Sequence, residues 1–261
     1  VSSLYGRKVG LLSAAFSSLA VMQIQQSHFF TSDLFVNMFM FLALAFAVKI
    51  VGQKWDEEQN ISNEIQDENL PAPRPSSFIT SILKKPLFLL SIGFGFALGM
   101  AMASKINAAA LAIALPAAFA VRYLIYDRKK APSTDYWTLL TLFLIAGGLA
   151  TIISFRICQP YAFDGIGLNE QWVKNISELR VQASGDAVLP WNLQWARRTH
   201  LYSFTNLPIW GLGLPLGILA WAGFLLMGWR ILKGEYKHLL LWGWTAFYFI
   251  WQSMQFNPTM R

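Results

Sequence analysis

Long apolar runs alternate with short polar stretches along almost the whole chain. A helix that crosses a bilayer needs about 20 mostly apolar residues. Seven runs approach this length, at residues 9–25, 34–52, 87–104, 106–126, 136–155, 209–232 and 238–256. The first is the weakest, because three serines dilute it, and a polar break at Lys105 separates the third from the fourth. The pattern predicts an all-α fold, a polytopic membrane helix bundle of about seven transmembrane helices.

Composition supports this class of protein. Hydrophobic residues make up 55% of the 261 positions and charged residues 13%, whereas a soluble domain carries roughly a quarter charged residues. Seven segments that are apolar all round are rare in soluble proteins. The chain has one cysteine, Cys158, so an intrachain disulfide is excluded.

The basic residues predict the orientation in the membrane. The formal net charge is +7, and cytoplasmic loops of membrane proteins are enriched in Lys and Arg. If the N-terminus is cytoplasmic, 14 of the 21 Lys and Arg residues lie on the cytoplasmic side of the seven spans. This orientation places the polar stretch QQSHFFTSD, residues 25–33, on the outer face. The membrane orientation accounts for the positive charge, so we expect no nucleic-acid partner.

Residues 1–261 are interpreted as one transmembrane domain with two long loops. Residues 53–86 are acidic and then proline-rich, which is typical of a flexible cytoplasmic loop. Residues 156–208 form an outward-facing loop rich in aromatic residues, for which we expect short helices on the membrane surface. The chain begins at Val1 and stops shortly after an apolar run, so we expect an internal piece of a longer protein.

Polar side chains that are able to catalyse a reaction or bind a ligand cluster on the predicted outer face. A carboxylate near a histidine, as at Asp33 and His28, is suited to act as a base or to hold a divalent cation. Arg binds phosphate through two parallel hydrogen bonds and Lys binds it as a point charge. We therefore take Asp33 and His28 as candidate catalytic residues, and Lys105, Arg197 and Arg198 as candidate phosphate ligands.

Each of these residues has a structural alternative. Asp33 follows Thr and Ser at the start of an apolar run and is suited to cap a helix. His28 is also compatible with a simple position at the membrane interface. Lys105 can extend its ammonium group to the interface, although no other charge lies within 16 residues of it. Arg197 and Arg198 are equally compatible with an ordinary surface.

Several stretches resemble a known family. The segment GRKVGLLSAAFSSLAVMQIQQSHFFTSDLFVNMFMFLALAFAV is similar to the third and fourth helices of C-type glycosyltransferases of the family 39 group. That group includes protein O-mannosyltransferases and lipid A aminoarabinose transferases. The segment GFGFALGMAMASKINAAALAIALPAAF resembles the next helical hairpin. RICQPYAFDG, WARRT and NLPIWGLGLPLG resemble bacterial members. The resemblance covers most of the chain.

The resemblance implies a membrane enzyme that transfers a sugar from a polyprenyl-phosphate carrier. The sugar, a hexose or a pentose, would pass with inversion to an acceptor protein, lipid or glycan on the outer face of a bacterial plasma membrane. Asp33 matches the acidic position of the second outward loop of the family. Lys105 matches a hairpin lysine that would bind the carrier phosphate, and Arg197 and Arg198 would assist it.

The match departs from the family pattern at the acidic position. Asp33 has no neighbouring acid in an Asp-x-Asp pattern. No cofactor is therefore assigned, and a divalent cation is a candidate only. The acidic residue of the family's first outward loop would lie before Val1.

Two other classes of function fit the same pattern. A transporter or flippase of a lipid-linked intermediate also needs outward-facing cations, but it tends to place charges and broken helices near the middle of the membrane. A structural subunit of a membrane complex would use the aromatic outer loop for packing. The near absence of charges within the apolar runs and the clustering of Asp33, His28 and Lys105 favour the enzyme.

Overall fold

The structure is a computed structural model that describes residues 1–29, 31–53, 83, 85–127, 134–184, 190 and 198–255. Its α-helices are α1 (Ser2–Tyr5), α2 (Arg7–Ser18), α3 (Val21–Phe29), α4 (Ser32–Gly52), α5 (Pro86–Ser104), α6 (Ala114–Arg122), α7 (Thr134–Cys158), α8 (Glu170–Ser184), α9 (Tyr202–Asn206), α10 (Leu214–Leu232) and α11 (Leu239–Ser253). A short antiparallel hairpin pairs β1 (Phe163–Asp164) with β2 (Gly167–Leu168).

Short segments of tighter or wider helix adjoin these elements. There are 3₁₀ segments at Ile106–Ile113, Pro160–Ala162 and Tyr236–His238, and π segments at Tyr123–Asp127 and Leu207–Gly211. Runs of 3₁₀ helix longer than three or four residues are uncommon. The eight-residue segment that follows Lys105 is therefore an unusual local structure.

Five of the predicted membrane spans are confirmed as helices long and apolar enough to cross a membrane. Among the described residues these are Ser32–Gly52, Pro86–Ser104, Ile106–Tyr126, Tyr136–Cys158 and Leu214–Leu232. The predicted separation of the third and fourth runs is also confirmed, because Lys105 has an extended backbone between them. The structure thus supports the coarser part of the prediction, a largely helical protein with helices able to span a membrane.

The first and seventh predicted spans are not confirmed. The first divides into α2, of 12 residues, and α3, of 9 residues, on either side of a turn at Leu19. Helix α11 has 15 residues and is about 22 Å long at 1.5 Å per residue, short of the roughly 30 Å of a bilayer core. Residues beyond 255 lie outside the described part of the chain. Both apolar runs resemble membrane spans in composition, but the helices that form within them are shorter than the runs.

The chain forms two compact units. The middle unit contains Phe35–Cys158, and the terminal unit contains Val1–Leu34 together with Gln159–Arg261. The sequence interpretation treated the whole chain as one domain. The predicted flexible loop at 53–86 lies outside the described residues except at positions 53, 83, 85 and 86.

Adjacent helices of the middle unit run in the directions that the predicted topology requires. Val36 of α4 packs in one cluster with Ala101 and Ala108, while the ring of Phe46 lies beside Gly93. Helix α4 therefore runs antiparallel to α5. At the other end, the Nε of Arg122 donates a 2.8 Å hydrogen bond to the carbonyl of Gln53, so the span that contains α6 runs parallel to α4.

Helices α5 and α7 pack closely and run parallel. A Cβ added at Gly99 would lie 2.5 Å from the carbonyl oxygen of Thr151 and 2.8 Å from the backbone nitrogen of Phe155. The hydroxyl of Ser154 donates a 2.8 Å hydrogen bond to the carbonyl of Phe96. Small residues that allow close backbone approach, and hydroxyls that bond across helices, are typical of packing within membranes.

In the terminal unit, α10 and α11 form a helical hairpin held by aromatic side chains. The indole Nε1 of Trp242 donates a 3.0 Å hydrogen bond to the carbonyl of Phe224, and their rings stack with centroids 5.0 Å apart. Phe204 of α9 packs on Trp221 at 4.2 Å. Only 6% of the apolar stretch of α10 is buried within the protein, as expected of a helix whose sides face lipid. Within the predicted outer loop, α8 is a helix of 15 residues, and its placement on a membrane surface stays a prediction.

Candidate functional site

The candidate base Asp33 lies in the first turn of α4. It is the second residue of the helix and half-buried, and the backbone N–H of Leu34 donates a 3.2 Å hydrogen bond to the carbonyl of Thr31. A carboxylate in the first turn is favoured by the positive end of the helix dipole. The structure thus places Asp33 inside the helix start rather than at the residue before it.

The candidate catalytic His28 lies in the last turn of α3 and is exposed. It makes no hydrogen bond or ion pair with any described residue. Nearby polar residues bond among themselves, with the hydroxyl of Thr31 donating to Oε1 of Gln26 at 2.6 Å and that of Ser27 donating to the carbonyl of Gln23 at 2.8 Å. The structure therefore does not join His28 to Asp33 by a hydrogen bond.

Lys105 lies at the connection between α5 and the 3₁₀ segment, and it is half-buried. Its backbone N–H donates a 2.9 Å hydrogen bond to the carbonyl of Ala101, and its carbonyl accepts a 3.0 Å bond from the N–H of Ala108. These two bonds connect Lys105 to α5 on one side and to the 3₁₀ segment on the other. They hold the backbone of Lys105 in place at the bend between the two helices, which is called the hinge.

The hinge at Lys105 lies at one end of the middle unit together with two other helix ends. Val36, one turn after Asp33 along α4, packs with the two alanines that bracket Lys105. Because α7 runs parallel to α5, its last turn with the exposed Arg156 lies at this end too. The N-terminal end of α4, Lys105 and Arg156 had all been predicted on the outer face.

Of the two predicted arginine ligands, Arg197 lies outside the described residues. Arg198 is half-buried, and its guanidinium carbon lies 4.1 Å from the ring centroid of Tyr202. A guanidinium over an aromatic face is held by attraction to the ring electrons. This contact orients a cation in the segment that precedes α9.

His200 lies two residues after Arg198 and was not among the predicted site residues. It is exposed, and its Nδ1 lies 3.0 Å from the backbone carbonyl oxygen of Ser253, the last residue of α11. The start of α3 lies at the same end of the terminal unit, because Gly211 and Gly213, just before α10, lie beside Met22 and Val21.

A second cluster, at the opposite end of the α10–α11 hairpin, was missed by sequence reasoning. The ring of His238 is fully buried. Its Nδ1 lies 2.5 Å from the hydroxyl of Tyr5, and its Nε2 lies 3.3 Å from Oε2 of Glu235. A carboxylate only accepts, so Nε2 carries a proton, and in the neutral ring Nδ1 accepts the bond from Tyr5.

Local backbone chemistry builds this Tyr5–His238–Glu235 cluster. Helix α10 ends in a turn at Gly234, whose φ of +93° lies in the region that favours glycine. The N–H of Glu235 donates a 3.0 Å bond to the carbonyl of Arg230, and that of Gly234 donates a 2.9 Å bond to Ile231. This pair of bonds is the Schellman pattern of helix termination, which places Glu235 beside Arg230 and His238.

The surroundings of the cluster shift the pKa values of Glu235 and Tyr5. The hydrogen bond from His238 holds the pKa of Glu235 below its usual value, and Arg230 and Lys237 act in the same direction. Burial raises the pKa of Tyr5 above its usual value. The carboxylate is thus kept ionised, and the phenol is kept protonated and able to donate.

The described residues contain no group of three or more His, Cys, Asp or Glu side chains that could hold a metal ion. Asp33 is a single carboxylate, so a divalent cation remains only a candidate ligand of the site. Comparisons of the chain with models of protein families, with curated proteins and with solved structures find no match.

Proposed function

We propose that this protein is an integral membrane glycosyltransferase that moves a sugar from a polyprenyl-phosphate carrier to an acceptor outside the membrane. The observation that carries the proposal is the position of Lys105. It is a half-buried cation at a hinge between two apolar spans, at the end of the middle unit where α4 begins. A cation at the membrane boundary is suited to a lipid that carries its phosphate at the same depth.

The proposed chemistry is substitution at the anomeric carbon of the sugar. The carboxylate of Asp33 takes the proton from the acceptor hydroxyl, and the acceptor oxygen forms a bond to the anomeric carbon. The bond from that carbon to the phosphate oxygen breaks, and its electron pair leaves with the polyprenyl phosphate. The ammonium of Lys105 balances the charge that develops on the phosphate.

Attack opposite the leaving group gives inversion. His28, which lies exposed at the end of α3, would hold the acceptor through a hydrogen bond. The activated donor supplies the driving force, so the reaction requires no nucleotide.

The experiment is sugar transfer by the purified full-length protein in liposomes. A panel of polyprenyl-phosphate-linked hexoses and pentoses is offered as donors with protein, lipid and glycan acceptors. Lys105→Gln should raise KM for the lipid donor by about 10- to 100-fold, because a hydrogen bond to a charged group contributes about 1.5–3 kcal/mol. Lys174→Gln, an exposed lysine on α8, is the matched control. Failure to transfer any sugar, or an unchanged KM in Lys105→Gln, would overturn the proposal.

A further inference from the structure

We propose that His200 and Arg198 form a binding site for the phosphate monoester of a polyprenyl phosphate, the group that remains on the carrier after the sugar has left. This inference rests on the proposed function, since it assigns a site to the lipid product of that reaction. The site lies in the terminal unit, at the end of the hairpin where α11 stops.

The hydrogen bond to Ser253 determines the state of the imidazole of His200. A backbone carbonyl only accepts, so Nδ1 of His200 must carry the proton in the 3.0 Å bond to Ser253. In the neutral ring Nε2 therefore bears the lone pair. It makes no hydrogen bond with any described residue, and the side chain is exposed. The Ser253 carbonyl thus holds the ring so that Nε2 is open to a ligand.

An imidazole in this state suits a phosphate monoester better than a diester. The second ionisation of a phosphate monoester has a pKa near 6, so near neutral pH both the dianion and the form with a P–OH group are present. Nε2 accepts a hydrogen bond from a P–OH group, or carries the proton and donates it to the phosphate dianion. A phosphodiester, as in the sugar donor or in most phospholipids, has one negative charge and no P–OH group.

Arg198 supplies permanent charge two residues before His200. Its guanidinium lies over the ring of Tyr202, and this planar stacking reduces the freedom lost when it pairs with phosphate oxygens. A second polar group lies beside the histidine. The hydroxyl of Ser253 is buried and has no hydrogen-bond partner among the described residues. Buried hydroxyls normally bond to a partner, and a phosphate oxygen is one that accepts from a hydroxyl.

The test is equilibrium binding to the purified full-length protein in detergent, followed by native mass spectrometry and titration calorimetry. The ligands are polyprenyl phosphate, the corresponding polyprenol, phosphatidylglycerol and inorganic phosphate. We expect polyprenyl phosphate to bind at least about 10-fold more tightly than polyprenol or phosphatidylglycerol. Inorganic phosphate should compete at high concentration.

Three variants identify the residues. His200→Asn keeps an N–H at the position of Nδ1, so the bond to Ser253 is retained while Nε2 is removed. Arg198→Gln removes the charge. Each should weaken polyprenyl phosphate binding by about 10-fold or more and leave polyprenol binding unchanged. Arg180→Gln, an exposed arginine on α8, should bind like the unaltered protein.

Several results would overturn the site. These are equal affinity for polyprenyl phosphate and polyprenol, equal affinity for phosphatidylglycerol, or unaltered binding in both His200→Asn and Arg198→Gln. Binding is measured without turnover, so the outcome is separate from that of the transfer assay. Absence of sugar transfer would refute the proposed function while leaving a demonstrated monoester site in place.

Discussion

The hydroxyl of Tyr5 donates a 2.5 Å hydrogen bond to Nδ1 of His238, 233 residues further along the chain. The two rings also stack, with centroids 5.4 Å apart and an interplanar angle of 12°. This contact ties the first helix of the described chain to the turn between α10 and α11. It therefore links the two stretches of sequence that make up the terminal unit, Val1–Leu34 and Gln159–Arg261.

Tyr5→Phe should destabilise the protein by about 1–3 kcal/mol, because it leaves the buried Nδ1 of His238 without its donor. The double variant Tyr5→Phe/His238→Leu should lose less than the sum of the single variants, since it removes both polar partners. Tyr161→Phe, at an exposed tyrosine, is the control. Chemical denaturation in detergent measures each effect, and additivity of the two substitutions would show that the bond contributes nothing.

Acid should weaken the same cluster through Glu235. Because the pKa of Glu235 is lower in the folded protein than its ordinary value of 4.5, its contribution to stability is fully present above that value. The contribution is lost as the pH falls through the folded-state pKa. Between pH 7 and about pH 3, Tm should fall less in Glu235→Gln than in the unaltered protein. Glu178→Gln, at an exposed glutamate on α8, should retain the full fall, and an identical profile for all three proteins would contradict the assignment.

Close packing of α5 on α7 should make Gly99 intolerant of a side chain. In Gly99→Ala the new Cβ would lie 2.5 Å from the Thr151 carbonyl oxygen, and overpacking of this kind costs about 1–3 kcal/mol. At Gly148 of α7 an added Cβ meets no atom within 4 Å. Gly148→Ala should therefore be neutral or stabilising by up to about 1 kcal/mol. Thermal unfolding in detergent compares them, and equal stability would show that the two helices are further apart.

The membrane orientation predicts that the loop after α7 and the turn after α10 lie on opposite sides. In a Cys158→Ser background, Asn169→Cys should react with an impermeant thiol reagent added outside sealed cells. Lys233→Cys should react only after the membrane is opened, because basic turns stay cytoplasmic. Labelling of both cysteines from the same side would refute the orientation.

Much of the helical architecture follows from the apolar pattern. Lys105 and its polar neighbours correctly predicted a break between two spans, because a charged residue and a helix end both belong at a membrane boundary. The pattern overestimated the first and seventh spans. Apolar content persists through the turn at Leu19, and hydropathy does not register where the backbone hydrogen bonds of α2 stop.

The polar clusters were harder to predict than the helices. Tyr5 and His238 are 233 residues apart, and no local pattern signals that they meet. Gly234, followed by Glu235 and then His238, was the available signal, since a glycine after a helix favours the turn that positions the carboxylate. For His200 the decisive partner is a backbone carbonyl at Ser253, which side-chain chemistry in the sequence cannot reveal.

Asp33→Asn tests the central claim most directly. The substitution removes the charge but keeps size and hydrogen-bonding capacity, so its cost in stability through the helix dipole is limited to about 0.3–1 kcal/mol. Loss of a general base typically lowers the rate about 10²–10⁴-fold. The measurement is sugar transfer from a polyprenyl-phosphate donor by the full-length protein in liposomes, with Tm recorded in parallel. We predict a fall of at least about 100-fold in kcat with Tm nearly unchanged, whereas transfer at the unaltered rate would contradict the assignment of Asp33 as the base.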